Sequence, residues 1–540
     1  MSLIERRRLV RFALLTIIAI LASRLWFIVY RAIDLDEFEH AHATWCVSRG
    51  LVPYADFFEH HTPWLYGLFA PAFPHFATDT DPAAIASLFT DLRLAMWAMT
   101  AAIIALVCGL GALWRDRFTG VLAAVLIATA SQFLDSMLDF RPDVPGLLCF
   151  VLSLALATRA WRSTRPDSAG AWFILSGLAF GAALMFTQKY VFALPGFAAA
   201  LLAYIAYGTT VRSLPWRTLG AVLFVLGALA PIGFTAWWFL AHHALDAFVR
   251  ANVDVNVRLN AARFSPVPGL LKNALHTPAL YVLGAAGFVA AVREHRARLQ
   301  DGGLVPILTA ASLFAGLVVM GRAYDQYFVM FFPHLAVFGA AWGSDAVQRL
   351  APPVRARAAL RAVLVLAPLA SLAALITFTD APGSSQGASM IAAFTLAAVL
   401  AALSAWQWLN GRTTRAACVG VAALAALATG NLARTFDPIG PQLVDIAYVT
   451  QHTQPTDALL GAAAGPGVFR PHATYYFFNS GPFTSEAEQA DLVDALATGR
   501  MRPKIVMLDP LPYPLPPGVW AYVRAHYRHV RRTMYERIED

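Results

Sequence analysis

Four carboxylates lie within six residues of the chain, directly after its first long apolar run: Asp34, Asp36, Glu37 and Glu39. Charge at the edge of a bilayer costs free energy unless it is solvated or paired, so carboxylates there are candidates for general-base chemistry. The same residues are also typical of a solvated helix start, because acidic side chains favour the positive end of the helix dipole. On this cluster alone, both interpretations stay open.

A second acidic group follows further along the chain, between two later apolar runs. It consists of Asp135, Asp139 and Asp143, with Arg141 among them. A carboxylate next to an arginine tends to stay ionised. One site could therefore hold an ionised base and a second carboxylate that orients it. The alternative is a salt-bridged junction between two membrane spans.

Positive charge stands beside apolar sequence at two other points. Lys189 interrupts two apolar runs, and Arg322 precedes Tyr324, Asp325 and Tyr327 at the end of another. A lysine and an arginine at one membrane face could bind a lipid phosphate. The alternative is that both side chains snorkel to the interface and need no ligand.

Histidines accompany the first acidic group and recur after it, at Glu59, His60 and His61. Together with His40 and His42 these could in principle hold a metal ion. The spacing of His40 and His42 suits a strand, but their segment is predicted to be helical, where residues two apart point in different directions. We therefore expect that no metal or other cofactor is required, with a divalent ion as the alternative.

The rest of the sequence indicates an integral membrane protein. Of 540 residues, 58% are hydrophobic and 14% are charged, against about 25% charged in an average soluble domain. Apolar runs of about 20 residues, enough to cross a bilayer core, recur over residues 1–435. Thirteen candidate spans lie near 12–30, 93–113, 118–134, 144–160, 171–187, 190–207, 217–240, 277–292, 303–320, 327–345, 362–379, 388–409 and 416–434.

Basic residues orient these spans. Lys and Arg in short loops prefer the cytoplasm, and with the N-terminus inside, every second loop is basic. The net charge of +8 thus lies mainly in short loops rather than on one face, which argues against nucleic acid as a partner. Both acidic groups, Lys189 and Arg322 then share the outer face. Two outer loops are long, 31–92 and 241–276, and each contains a predicted interfacial helix, at 37–49 and 244–259.

Residues 436–540 lose the apolar pattern, and an odd number of spans places them outside the cytoplasm. Ser485 and Glu488 have the spacing of a capping box, and Gly499 is expected to end the helix that follows. The run 504–509 is typical of a buried strand. We predict an all-α polytopic membrane protein with a small extracytoplasmic α/β domain at its C-terminus.

Several motifs resemble those of GT-C glycosyltransferases, in particular protein O-mannosyltransferases and the aminoarabinose transferases of lipid A (families 39 and 83). Asp36-Glu37 after the first span resembles their acidic signature. The segment 58–63 resembles the Phe-Glu-Lys-Pro-Pro motif of the aminoarabinose enzymes, with histidine for lysine and a spacing one residue longer. The segment 141–145 resembles the second acidic motif of the fold, and 324–333 resembles a Tyr-rich entry to a late span.

The resemblance implies an inverting sugar transfer from a polyprenyl-phosphate donor to a lipid, glycan or protein acceptor. The reaction would take place at the outer face of the bacterial cytoplasmic membrane, whose lipids would surround the protein. Asp36 would be the general base, with Glu37 and Asp143 orienting the base or the acceptor. Substrate and lipid phosphate would be bound by a wider set: Glu59, His60, His61, Arg141, Lys189, Arg322, Tyr324 and Tyr327. A transporter or flippase of lipid-linked sugars is the alternative, and a polysaccharide polymerase or ligase that uses a lipid diphosphate is a third possibility.

Overall fold

The computed structural model describes residues 3–208, 213–259, 265–294, 302–320, 324–349, 437–461, 465–477, 484–508 and 515–538, and parts of 399–428. Its α-helices are α1 (Leu3–Tyr30), α2 (Leu35–Ser48), α3 (Trp64–Phe69), α4 (Pro82–Trp114), α5 (Arg117–Ala128), α6 (Ser131–Ser136), α7 (Asp143–Arg162), α8 (Pro166–Phe186), α9 (Leu194–Tyr207), α10 (Leu214–Ala241), α11 (Leu245–Val249), α12 (Asn256–Leu259), α13 (Val267–His276), α14 (Pro278–Arg293), α15 (Leu304–Val319), α16 (Phe332–Arg349), α17 (Gly440–His452), α18 (Glu486–Ala497) and α19 (Pro517–His526). Short 3-10 segments (Ala70–His75, Gln188–Ala193, Asp325–Phe331, Gly465–Gly467) and one π-helical turn (Arg250–Val255) lie between them.

The apolar helices follow the predicted spans. Within the described residues, seven helical segments are long and apolar enough to cross a bilayer, and α13 and α14, bent by 112°, form a further candidate when taken together. Each of the first ten predicted spans coincides with an apolar helix, although α5, α9, α14 and α15 are themselves shorter than 18 residues. The helical segment that ends in α9 reaches 20 residues when the 3-10 segment before it is included. The predicted span 362–379 lies outside the described residues, and 388–409 and 416–434 are described only in part. The predicted class, an all-α membrane protein with a small C-terminal sheet, is confirmed.

Small residues let neighbouring spans approach closely. A Cβ atom on Gly177 of α8 would lie 2.0 Å from the carbonyl oxygen of Phe224 on α10, and one on Gly181 would lie 2.3 Å from that of Ala228. The four-residue spacing puts both glycines on one face of α8. Because lipid is as apolar as the side chains, close packing of this kind stabilises helix pairs in a bilayer. It holds α8 in place, and Lys189 follows directly after α8.

The two predicted interfacial helices differ in outcome. Val249, Val253 and Val257, in the segment from α11 to α12, expose apolar side chains at four-residue spacing, as expected of an interfacial helix. The helix predicted at 37–49 is α2, but it does not lie on a surface, because residues 37–46 are all buried. Its apolar side packs in the main core, and its polar side faces other loops and the C-terminal residues.

The C-terminal residues form a four-stranded sheet of β1 (Leu459–Gly461), β2 (Ile505–Met507), β3 (Tyr527–Arg531) and β4 (Met534–Arg537). The strand order is β1-β2-β4-β3, with β1 and β2 parallel and the other pairs antiparallel. Ser485 and Glu488 make the predicted capping box at the start of α18. Gly499 follows that helix with φ +73°, a left-handed conformation that glycine adopts without strain.

Candidate active site

The acids of the first group that stand at the start of α2 are Asp34, Asp36 and Glu37. Asp34 is the N-cap: its side chain accepts a hydrogen bond from the backbone N–H of Asp36, and Glu37 accepts one from the backbone N–H of Asp34. Two otherwise unsatisfied donors are thereby paired. The side chains of Asp34 and Asp36 are 37% and 33% exposed, whereas that of Glu37 is fully buried. Asp34 is engaged as the N-cap, which leaves Asp36 as the exposed acid without a capping role.

Glu37 is bound by a buried arginine from a membrane span. Nε of Arg93 on α4 donates to Oε1 of Glu37 at 2.9 Å, Nη2 donates to Oε2, and the backbone N–H of Phe140 donates to Oε1 at 3.1 Å. Burial alone would raise the pKa of Glu37, but the charge and hydrogen bonds of Arg93 outweigh it and hold that pKa below its ordinary value. Because both oxygens are engaged, this carboxylate is well placed to position α2 and poorly placed to accept a substrate proton.

Arg141 joins the two acidic groups. Its Nη2 donates to Oδ1 of Asp34 at 2.6 Å and lies 2.9 Å from Oδ2 of Asp36, while its Nε lies 3.5 Å from Asp139. The sequence prediction that both groups face one compartment agrees with this contact. The guanidinium group supports two carboxylates at the start of α2 from the loop before α7.

Asp135 and Asp139 of the second group form a salt-bridged junction between membrane spans, the alternative interpretation of this group. Arg31, directly after α1, contacts Oδ1 of Asp135 at 2.9 Å and Oδ1 of Asp139 at 3.0 Å. Burial raises the pKa of Asp139 to about 7, against the opposing charge of Arg31. These contacts tie the end of α1 to the segment around α6, and so fix the chain just before α2.

Asp143 and Lys189 form the second ion pair of the site. The Nζ atom of Lys189 donates to Oδ1 of Asp143 at 2.9 Å and lies 3.9 Å from the ring centre of Tyr327. A small cavity opens beside them. It is lined by Met137, Asp143, Leu147, Thr187, Lys189, Tyr190, Gln326, Tyr327, Val329 and Met330. The cavity therefore combines apolar walls with one ammonium group, as a lipid phosphate requires.

The histidines of the first loop separate into two pairs. His40 and His42 diverge from α2, as predicted for a helix: Nδ1 of His40 contacts the Tyr66 hydroxyl, and Nδ1 of His42 contacts the carbonyl oxygen of Val468. His60 and His61 instead converge with Glu59 and with Glu39 of α2. These four are the described residues whose ligand atoms could hold a metal ion.

The convergent cluster is tightly packed. Nδ1 of His61 lies 2.8 Å from Oε1 of Glu59 and 3.5 Å from Oε1 of Glu39, and Nδ1 of His60 lies 3.6 and 3.7 Å from the same two oxygens. Backbone N–H groups of His60 and His61 also donate to Oε1 of Glu59, at 2.7 and 2.9 Å. Two carboxylates and two imidazoles thus share one buried volume.

The charges of Glu39, Glu59 and His61 influence one another's pKa values. Burial raises the pKa of Glu39 to about 8, and the negative charge of Glu59 adds to the effect. Burial disfavours the charged form of His61, but its close contacts with Glu39 and Glu59 and their negative charge outweigh that effect and raise its pKa to about 10. Burial would also raise the pKa of Glu59. The hydrogen bond and the positive charge of His61 outweigh that effect, so the pKa of Glu59 lies below its ordinary value.

The other predicted residues lie less centrally. Tyr324 is 46% exposed, and its ring packs edge-on against that of Tyr327 at 5.5 Å. Arg322 lies outside the described residues. The sequence reasoning missed Arg93, although an arginine within a membrane helix is itself a signal of a buried partner. It counted Glu39 in the first acidic group but did not link it to the histidines of the later segment.

Residues of the C-terminal part hold the first loop at two points, near its start and near Glu59. The side-chain amide of Gln442 accepts from the backbone N–H of Ile33 at 2.6 Å and donates to the Ile33 carbonyl oxygen at 2.8 Å, one residue before the N-cap of α2. Further along the loop, the N–H of Phe58, next to Glu59, donates to the carbonyl oxygen of Tyr475 at 2.9 Å. The C-terminal residues are therefore part of the frame of the site.

Solved structures of known proteins share the fold of this chain. ArnT from Cupriavidus metallidurans, in its crystal structure bound to undecaprenyl phosphate, matches with a TM-score of 0.68 and 11% identity over 97% of this chain and 97% of that chain. The apo structure of the same protein matches with a TM-score of 0.67 and 15% identity, again over 97% of each chain. The oligosaccharyltransferase of Archaeoglobus fulgidus, tethered to an acceptor peptide, matches with a TM-score of 0.51 and 14% identity over 92% of this chain and 69% of that chain.

Sequence comparison alone is more restricted. No curated protein matches the chain. The model of a family described as dolichyl-phosphate-mannose-protein mannosyltransferase matches residues 83–238, a range that includes Arg93, Arg141, Asp143 and Lys189. The chain therefore has the GT-C fold of ArnT, which confirms the resemblance that its acidic motifs indicate.

Proposed function

We propose that this protein transfers a sugar from a polyprenyl-phosphate donor to an acceptor hydroxyl at the outer face of the bacterial cytoplasmic membrane. One observation carries the proposal. The exposed carboxylate of Asp36 is paired with Arg141, two residues before Asp143, and Asp143 is paired with Lys189 at the cavity. The candidate base, Asp36, and the candidate phosphate-binding cation, Lys189, are therefore connected through the short segment from Arg141 to Asp143. The fold is shared with ArnT, a protein crystallised with undecaprenyl phosphate.

The cavity is small, about 10 Å³, or room for about one water molecule, so a donor would have to widen it; its lining, however, suits the donor. Its walls include Leu147, Val329 and Met330, which can contact the first isoprene units, and Lys189 provides the positive charge for the phosphate. An ammonium group has three N–H donors, and the hydrogen bond to Asp143 uses one of them. Developing charge on the leaving phosphate is the kind of charge that such a preorganised donor stabilises.

The proposed reaction is a single displacement. The carboxylate of Asp36 takes the proton of the acceptor hydroxyl, whose oxygen attacks the anomeric carbon. The bond between that carbon and the phosphate oxygen breaks, and the lipid phosphate leaves next to Lys189. Attack opposite the leaving group inverts the anomeric configuration. General-base help of this kind contributes about 10²–10⁴-fold to the rate.

The other acidic residues act by position. Glu37, bound by Arg93, keeps the first turn of α2 in place, and Arg141 orients Asp36. Asp143 holds the ammonium group of Lys189 at the cavity. This assigns Glu37 a positioning role and leaves Asp36 as the carboxylate that meets the acceptor.

The test is a deletion strain examined by mass spectrometry of surface glycans and lipid-linked sugars. We expect the loss of one sugar from the envelope and the accumulation of its polyprenyl-phosphate carrier. Complementation with Asp36→Asn should fail, whereas Asp246→Asn, an exposed acid in the other long outer loop, should restore the sugar. Full complementation by Asp36→Asn would refute the general base. Accumulation of the carrier only on the inner leaflet would refute transfer and favour a flippase.

A further inference from the structure

The cluster of Glu39, Glu59, His60 and His61 has no part in the proposed displacement, yet it is one of the most polar places inside the protein. One ligand atom from each residue lies within 4.8 Å of the others. Glu39 comes from α2, whereas the other three are consecutive in the loop before α3. Two distant pieces of chain therefore bring two carboxylates and two imidazoles to one point.

The distances within the cluster are those of ligands around a shared ion. A tetrahedral zinc ion with bonds of about 2.0–2.1 Å to nitrogen and oxygen separates its ligand atoms by about 3.4 Å. Three of the four measured Nδ1–Oε1 distances are 3.5, 3.6 and 3.7 Å. These are long for a hydrogen bond between a nitrogen and an oxygen, whose usual range ends near about 3.2 Å. Direct hydrogen bonding accounts well for the 2.8 Å contact of His61 with Glu59 alone.

A second observation is an unpaired carboxylate oxygen of Glu59. Glu59 is 1% exposed, and its Oε2 atom is buried with no hydrogen-bond partner among the residues that the structure describes. A buried carboxylate oxygen without a partner costs free energy. Glu39 is 2% exposed in the same volume. A divalent cation would neutralise both carboxylates and would give the unpaired oxygen a partner.

We propose that Glu39, Glu59, His60 and His61 bind one divalent transition-metal ion of the zinc class. Two imidazoles with two carboxylates favour zinc and its neighbours over magnesium or calcium, which prefer oxygen ligands alone. The ion fastens α2 to the loop before α3. It also fixes the backbone of His60, whose carbonyl oxygen accepts from Nε2 of Gln188 at 2.7 Å, next to Lys189. This inference stands independently of sugar transfer.

The test measures metal in the full-length chain, purified in detergent without chelator. Mass spectrometry of the metals should find about one zinc ion per chain, and after chelation and dialysis zinc chloride should bind again with one-to-one stoichiometry in a calorimeter. Glu39→Gln and His60→Asn should each weaken zinc binding by more than about 100-fold, because even residues that only support a ligand cost 10–100-fold. The matched controls Glu486→Gln and His75→Asn, both at exposed positions, should bind zinc as the wild type does.

Equal binding by the cluster variants and the wild type would overturn the proposal, and so would a wild type that binds no zinc. In the latter case the cluster is a metal-free network in which protons take the place of the ion. If the variants do not fold, X-ray absorption of the zinc-loaded wild type decides: two imidazole nitrogens and two oxygens support the site, and any other ligand set overturns it. All of these readouts are independent of activity, so a failed transferase assay leaves this test intact.

Discussion

Replacing Lys189 by methionine separates two roles that the structure gives this side chain. It balances the charge of Asp143 at 2.9 Å, and it presents an ammonium group to the cavity. The side chains of the pair are 15% and 17% exposed, so both charges are largely withdrawn from water. Methionine has a similar length and no charge, which keeps the packing against Tyr327 and removes only the cation.

The two roles have different magnitudes and different partners. Removing one member of a buried ion pair costs about 3–5 kcal/mol of stability, and the residual exposure of this pair places the expectation at the lower end. Removing a donor that stabilises transition-state charge costs about 10²–10³ in turnover. The first loss depends on Asp143 being charged, whereas the second depends on the phosphate of the donor.

The assay compares four proteins: wild type, Lys189→Met, Asp143→Asn and the double variant. Thermal unfolding in detergent should show that the double variant is more stable than Lys189→Met, because no unpaired carboxylate is left. Turnover with the polyprenyl-phosphate sugar should fall about 10²–10³-fold on removal of Lys189 in the Asp143→Asn background as well. If Lys189→Met has no effect on turnover in that background, Lys189 serves only to balance Asp143, and its proposed role at the phosphate is refuted.

Three further outcomes follow from the same contacts. Asp36→Asn should lower turnover by about 10²–10⁴-fold with little change in KM or in unfolding temperature; unchanged turnover in a purified transfer assay would exclude it as the base. Arg93→Met leaves Glu37 buried without its cation and should destabilise the protein by about 3–5 kcal/mol, measured by unfolding in detergent, and Glu37→Gln in the same chain should recover part of the loss. Gln442→Ala removes both hydrogen bonds to Ile33 and should cost about 1–3 kcal/mol; its turnover should fall more than that of Gln489→Ala, a partly buried glutamine outside the site, and equal values would contradict a positioning role.

The membrane architecture was accessible to sequence reasoning because its determinants are local. A run of apolar residues is long enough to cross a bilayer or it is not, and the windows near 144–160 and 217–240 agree closely with α7 and α10. The capping boxes at Asp34 and Ser485 depend on residues three apart. Interactions within one turn of a helix can be predicted from residues that are close together in the sequence.

The partners of the site residues could not be predicted in the same way, since they come from distant parts of the chain. Glu37 meets Arg93, and Glu39 meets Glu59 and two histidines, but no spacing rule links those positions. The burial of α2 was missed for a related reason. An amphipathic helix looks the same whether its polar side faces water or faces other polar protein groups, and only the packed C-terminal residues decide between them.

The substitution of histidine for lysine at position 60 shows how far a family motif can be transferred. A lysine there would bring a charge that meets a phosphate, whereas His60 lies beside Glu39 and Glu59, and burial lowers its pKa to about 3. A neutral imidazole cannot replace an ammonium group at a phosphate, but it is the form that binds a metal ion. The positive charge of the site must then come from elsewhere, and Lys189, which follows the residue hydrogen-bonded to the His60 carbonyl oxygen, is the cation at the cavity among the described residues. The position of the motif is thus kept while the chemistry at that position changes. Replacement of Lys189 should lower turnover about 10²–10³-fold with zinc still bound, whereas replacement of His60 should release zinc.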